Sequence, residues 1–378
     1  MPSAYLPSLG GVEELTRHLA LALVDAGDDV EIWAQGDDEG RLAPVETMDG
    51  LTVRRFSFPL PRAHPRAVGA FSVGFTRTLF ALRAAGRAFR PQVIHVQCFG
   101  PNGLYATALS RLIKIPLVVS LQGETVMDDH DAYQVSTTLR TALRLGLRQA
   151  RQVTACSNFT LDDARARFGL GPKRGLVIFN GVSVGAQPDP PAPDQRYVLA
   201  LGRLEDKKGF DLLIRAFARL IDAHPDVHLL IAGSGSAAAS LQELIENSAA
   251  ISRIHLIGRL TREQVATTMA GAEVFVLPSR VEPFGIVVLE AWRAGVASIV
   301  TSHGGPPEFV TDGEDGLVVD PFDTPALAEA IDRLLRHPDQ RRAIGTAARQ
   351  RVATFDWRVI AGQYRDCYSE VTHPTRGH

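Results

Sequence analysis

The chain has 378 residues, 45% apolar and 22% charged, with a net charge of −2, the profile of an ordinary soluble globular protein of two domains or three. No run approaches the ~18 apolar residues of a membrane span, and no secretory signal is expected ahead of the first helix. Three cysteines (Cys98, Cys156, Cys367) stand far apart and in no CxxC pair, which fits a reducing cytoplasm and disfavours a structural zinc site.

The chain opens at a loop, Met1 to Gly11, and a helix over about 11–26 follows at once. A doubly wound domain normally opens with a strand that feeds its first ligand loop. Either Ser3 to Leu6 is a stub of that strand or the strand is missing, and the reading frame is expected to start upstream. Gly10-Gly11 is a candidate anion cradle at the helix start, a weak signal by itself. Strands are expected near 29–34, 51–56, 92–97, 116–121 and 152–156. Between Asp49 and Glu124 there is no acidic residue, while cations recur from Arg54 to Lys114. This stretch is either a solvated face balanced by acids elsewhere, or a basic face that meets an anionic acceptor or an anionic membrane. Phe75, Leu79, Leu82 and Phe89 interleave with Arg77, Arg83, Arg87 and Arg90, the pattern of an amphipathic basic helix. His95 reads as a strand-end histidine bordering the sheet's crevice. Asp128, Asp129, His130 and Asp131 read as a capping loop, with Asp129-x-Asp131 as a candidate divalent-metal pair.

Residues 185–194 contain four prolines and no apolar periodicity, a linker. The α/β alternation then restarts, with strands near 196–201, 227–232, 253–257, 272–277, 297–301 and 316–319. Helices are expected near 209–223, 236–247, 261–270, 285–294, 324–336 and 338–353. The domains are therefore 1–184 and 196–356 around a linker at 185–195, with a last helix, 357–372, packing back on the first domain.

Two motifs carry the chemistry. Glu282-Pro-Phe-Gly-Ile-Val-Val-Leu-Glu290 follows the apolar run Ala272 to Ser279, which reads as a buried parallel strand. Pro283 suits a first helical position, which makes Glu282 the expected N-cap. Gly285 permits close approach of a ligand, and first-turn amides attract phosphate. Glu290 lies about 9–10 Å further along the axis. Two carboxylates that accept hydroxyl hydrogen bonds, flanking an anion site, outline a nucleotide-sugar. The second motif, Leu201-Gly-Arg-Leu-Glu-Asp-Lys-Lys-Gly-Phe210, ends a strand and brings Arg203 and Lys208 to the same crevice. The chain uses four lysines against 36 arginines, so a Lys pair here suggests that a compact ammonium is needed.

Gly233-Ser-Gly-Ser-Ala-Ala238 resembles a dinucleotide fingerprint, but the next strand ends Leu256-Ile-Gly-Arg259 without the ribose-binding acid. It is read as a strand-to-helix turn. His303 to Glu308 is another Gly-rich loop, either a tight turn or a ligand contact.

Together, EPFGIVVLE, GRLEDKKG, SLGGVEE and Ile178-Phe-Asn-Gly-Val182 resemble the GT-B glycosyltransferases of the large family 4. The resemblance implies two Rossmann-like, doubly wound domains facing a cleft, the donor mainly on the second and the acceptor mainly on the first. It also implies retention at the anomeric carbon and no required metal or cofactor, with UDP or GDP as the donor's nucleotide. By position, Glu282 resembles the carboxylate on the donor sugar and Glu290 the one on the ribose, with Arg203 and Lys208 as the diphosphate clamp. Backbone at Phe284, Gly285, Ile286 and Val287 and at Gly11 completes the clamp, and Arg259-Leu260 meets the base. Gln122 stands where the family commonly has His on the donor sugar, and Gln122, Glu124 and His95 are candidates for the acceptor and sugar side. The implied activity is sugar transfer to an acceptor hydroxyl of a glycan, glycolipid or small molecule. Nucleic acid is not expected as a partner. The acceptor is open, with an anionic or membrane-associated one in view, and the location is cytoplasmic with the inner membrane face in view. The rival readings are a nucleotide-sugar epimerase, a nicotinamide dehydrogenase and a non-catalytic nucleotide-sugar-binding protein.

Overall fold

The computed structural model describes residues 1–7, 10–37, 42–61, 65–127, 132–185 and 195–373, with backbone only at 65–68 and 70. The acidic run Asp128 to Asp131 and most of the proline-rich linker lie outside the described residues. The chain forms two units, Met1–Asn180 with Trp357–His378, and Gly181–Asp356.

In the first unit, β1 (Glu31–Gln35) pairs in parallel with β3 (Leu51–Phe56), and β2 (Val45–Met48) pairs antiparallel with β3. Asp49 and Gly50 both take positive φ between β2 and β3, as a tight hairpin turn requires. A second sheet runs β4 (Ile94–Gln97), β5 (Leu117–Leu121), β6 (Gln152–Ala155) and β7 (Leu176–Val177), parallel and in that order. The helices are α1 (Gly11–Asp25), α2 (Pro65–Phe89), α3 (Pro101–Ile113), α4 (Ala132–Val135), α5 (Thr137–Gln149) and α6 (Asn158–Phe168). Every residue of β5 is buried, because helices cover both faces of a parallel sheet. The C-terminal helix, Trp357–Thr372, packs against α1.

Of the two openings expected, a stub at Ser3 to Leu6 or a missing strand, the structure shows a stub shifted toward Met1. Pairing occurs at Met1–Ser3, where Ser3 N–H donates to Gln97 O at 3.1 Å and Gln97 N–H donates to Met1 O at 3.2 Å. By Tyr5 the chain has left the sheet, because that ring is buried in an apolar cluster with Ile32, Ala34 and Val53.

The second unit holds one six-stranded, all-parallel sheet. Its strands are β8 (Arg196–Leu201), β9 (Val227–Ala232), β10 (Ile254–Gly258), β11 (Val274–Leu277), β12 (Ala297–Thr301) and β13 (Leu317–Val319), in spatial order β10-β9-β8-β11-β12-β13. Around it lie α7 (Phe210–Phe217), α8 (Ala238–Glu246), α9 (Arg262–Ala270), α10 (Ile286–Ala294), α11 (Thr324–Arg336) and α12 (Pro338–Arg351). The helix expected over 209–223 stops at Phe217 and tightens into a 3-10 turn at Ala218–Leu220. The strand order builds outward from β8 in one direction and from β11 in the other. The topological switch point therefore lies between β8 and β11, the place where such sheets bind ligands.

Candidate active site at the switch point

The two motifs leave the sheet side by side. Residues 202–209 follow β8, and residues 278–285 follow β11, the strand paired with it. Four contacts stitch the loops together. Arg280 N–H donates to Lys207 O at 2.9 Å. The Arg280 guanidinium forks onto Asp211 at 2.7 and 2.8 Å. Burial works against the Asp211 carboxylate, and the Arg280 fork overcomes it, holding its pKa below the ordinary value. Lys208 Nζ lies 2.6 Å from Glu282 Oε2. Finally, Gly209 has φ +67°, and a Cβ there would sit 2.1 Å from Pro278 O, so only glycine lets the loops approach this closely.

Glu282 is 5% exposed. Its Oε2 accepts from Lys208 and also from Ser279 Oγ at 2.9 Å. Its role as N-cap is corrected: α10 begins at Ile286, and the N-cap is Gly285, with φ +88°. Glu282 cannot cap because its backbone is already spent. Its N–H donates to His303 O at 3.0 Å, and its carbonyl accepts from Gly305 N–H at 2.8 Å. Pro283 and Phe284 therefore lie outside the helix, and the Phe284 ring packs on Phe309 with centroids 4.6 Å apart. The loop His303-Gly304-Gly305 is thus the structural support of Glu282, and it leads into a 3-10 turn at Pro306–Glu308.

The N–H groups of Ile286 and Val287 have no acceptor within the helix, and with the helix dipole they form an anion-attracting end. Glu290 is half-buried on the same helix. Arg203 is exposed, with Nη1 3.0 Å from Glu205 Oε1. The turn after β9 braces this loop, since Leu204 N–H donates to Ser234 O at 2.9 Å and Ala237 N–H donates to Leu204 O at 2.8 Å. Arg259 and Leu260 follow β10 at the same edge of the sheet, just before the capping box of α9. The structure therefore gathers Arg203, Lys208, Arg259, Leu260, Glu282, Phe284 to Val287 and Glu290 at the carboxyl edge of one sheet. Sequence reasoning missed Ser279 and Arg280, and it marked the Gly304 loop without linking it to Glu282. An arginine two residues before the first motif carboxylate was the available signal for Arg280.

In the first unit, Gly11 opens α1 behind the N-cap Gly10. Glu124 ties the end of β4 to the end of β5: Oε1 accepts from Phe99 N–H at 2.6 Å, and Oε2 accepts from Gln122 N–H at 2.6 Å. Burial raises its pKa to about 7, against the pull of those two amides. Gln122 Nε2 donates to Gln97 Oε1 at 3.2 Å, while Gln122 Oε1 is buried without a partner among the described residues. His95 lies under the C-terminal helix. Its ring nitrogens are 2.7 Å from the Tyr368 hydroxyl and 2.6 Å from Ser120 Oγ, and burial pushes its pKa down to about 3.

Two α/β units of this kind, one with cations, carboxylates and a helix N-terminus at its switch point, define the GT-B class of transferases. Residues 186–351 match the family model of the glycosyl transferases group 1, and residues 10–181 match that of the glycosyl transferase 4-like domain. A GDP-mannose-dependent alpha-(1-6)-phosphatidylinositol monomannoside mannosyltransferase of Mycolicibacterium smegmatis is 33% identical over 275 residues, covering 67% of this chain and 70% of the relative. A glycogen synthase of Mycobacterium tuberculosis is 28% identical over 375 residues, covering 93% and 89%. The fold is that of a sucrose-phosphate synthase from Thermosynechococcus elongatus, with TM-score 0.79 at 24% identity over 99% of this chain and 96% of the other. HepE of Anabaena in complex with UDP-glucose gives TM-score 0.76 at 20% identity over 98% and 100%. The chain belongs to the group 1 family of GT-B glycosyltransferases and is a transferase.

Proposed function

We propose that this transferase moves a sugar from a nucleotide-diphosphate donor, with UDP or GDP as the nucleotide, to an acceptor hydroxyl with retention at the anomeric carbon. The observation that carries the reading is the stitched pair of loops at the switch point. There Lys208 and a helix N-terminus lie beside a carboxylate that is fixed through both its backbone and its side chain, with Arg203 on the same loop as Lys208.

In this reading Arg203, Lys208 and the amides of Ile286 and Val287 take the negative charge that grows on the departing diphosphate. The Lys208 ammonium has three donors, so its bond to Glu282 leaves others for a phosphate oxygen. Glu282 accepts from the donor sugar's hydroxyls and Glu290 from the ribose, with Arg259-Leu260 backbone at the base. Both motif carboxylates are thus committed to binding. We assign no carboxylate nucleophile of the kind that retaining glycosidases use, and attack proceeds from the face of the leaving group, whose phosphate oxygen accepts the acceptor's proton. On the first unit, Gly11 serves the diphosphate. Gln122 offers an amide to the sugar where the family commonly has His, with its backbone N–H held by Glu124. The acceptor carries anionic character or is presented at a membrane.

The test is transfer from α-linked UDP- and GDP-sugars, with the product's anomer read by NMR. An α product is expected, and a β product overturns retention. Lys208→Ala lowers turnover by about 10²–10³, as loss of an oxyanion donor does. Near-normal turnover by the folded variant overturns the clamp.

A further inference from the structure

In the first unit α3 packs against α2 on one side and α5 on the other. From Gly50 to Gly123 and from Ala132 to Leu161 the chain contains no acidic residue, so these three helices carry cations only. On α2 the exposed positions Val73, Arg77, Phe80, Ala84 and Arg87 recur at helical spacing along one stripe. Val73 is 72% exposed and Phe80 64%. Beyond α3, Arg111, Leu112 and Lys114 are exposed at its end, and on α5 Arg144, Leu145 and Arg148 are exposed. None of these cations is ion-paired to a carboxylate among the described residues.

Complementing helix dipoles does not account for the pattern. Cations in last turns serve that purpose, but the same logic places acids in first turns, and α2, α3 and α5 have none. Nor do Arg77 and Arg144 lie in a last turn. Net positive charge interleaved with exposed aliphatic and aromatic side chains is the chemistry of an interfacial surface. The apolar groups enter the headgroup boundary while the guanidinium groups remain at the anionic headgroups.

We propose that the outer face of α2, α3 and α5 docks this protein on a bilayer of anionic phospholipid. The aliphatic members Val73, Leu112 and Leu145 favour a bilayer over a nucleic-acid backbone, which rewards the cations alone. The inference goes beyond the donor reading. Vesicle binding is read without donor or turnover, so either one can fail by itself.

The experiment is co-sedimentation of the full chain with phosphatidylcholine vesicles and with vesicles half phosphatidylglycerol. Binding is expected only to the latter, and it should weaken as salt rises toward about 1 M, where the screening length falls to about 3 Å. A variant carrying Arg77→Gln, Arg87→Gln, Arg111→Gln and Arg148→Gln is expected to lose about 600-fold in partitioning, at about fivefold per cation. Phe80→Ser alone weakens binding while leaving the salt dependence intact. Equal binding to both vesicles, unchanged binding by the quadruple variant, or capture by single-stranded RNA without vesicle binding would each overturn the proposal.

Discussion

Glu282 shows how much one residue's position rests on its neighbours. Its backbone is held by the loop after β12, its carboxylate by Lys208 and Ser279, and the loop after β12 is held in turn by Gly304. A Cβ on Gly304, at φ +118°, would lie 2.0 Å from the Glu282 carbonyl oxygen. Gly304→Ala is therefore expected to lower stability by about 1–3 kcal/mol and to weaken donor binding, both measured on purified protein by melting and titration. Unchanged donor affinity would show that Glu282 tolerates displacement. Glu124 gives a pH-dependent prediction. Its pKa is raised from 4.5 to about 7, so its stabilising contribution is full below about pH 4.5 and is lost as the pH rises through 7. Glu124→Gln mimics the protonated form. The stability of the wild type relative to this variant should fall by roughly 3 kcal/mol between those limits, as followed by urea unfolding. His95, held near 3, acts with the opposite sign, destabilising the fold as the pH falls from 6.5. It is common to both proteins and cancels in the comparison. A flat difference across the range would contradict the assignment to Glu124.

At the scale of elements, the six-stranded sheet was legible because each strand is a short apolar run bounded by turn residues. β8, β9 and β12 fall where the pattern puts them. The span of α10 falls where it is expected, and the misplaced N-cap has a physical cause. Pro283 suits a helix start, but Gly285 in the left-handed region resets the chain two residues later, and only the tertiary bridge to Gly304 explains why. β2 and β7 escaped reading because they are short edge strands, half solvated and without a buried apolar run. The helices α3, α5 and α6 escaped because buried parallel strands dominated the reading of the first half. The residues proposed to hold the donor on the second unit stand in visible motifs, whereas Arg280, which only joins two loops, does not. It makes its own prediction. Arg280→Lys keeps the charge but not the planar fork, so the two loops separate, and nucleotide affinity should fall by about 1.5–3 kcal/mol. Full affinity in Arg280→Lys would mean that the loops are positioned without it.

For the whole molecule, the family fixes a two-unit GT-B transferase, and the division of charge follows the division of labour proposed for the units. In the first unit the exposed cations of α2, α3 and α5 have no acidic residue on the same helices, while in the second Arg203, Lys208 and Arg259 follow strand ends at the sheet's carboxyl edge and others, such as Arg196 and Arg351, pair with carboxylates. The central claim is that the loops after β8 and β11 hold a nucleoside diphosphate. Thermal unfolding of the full chain with UDP, GDP, ADP, CMP and dTDP tests it most directly. A nucleotide at a hundredfold its Kd adds about 2.7 kcal/mol of stability, so UDP or GDP should raise the Tm by about 5–10 °C, and Lys208→Ala should remove most of that rise. No shift with any of the five nucleotides would contradict the account.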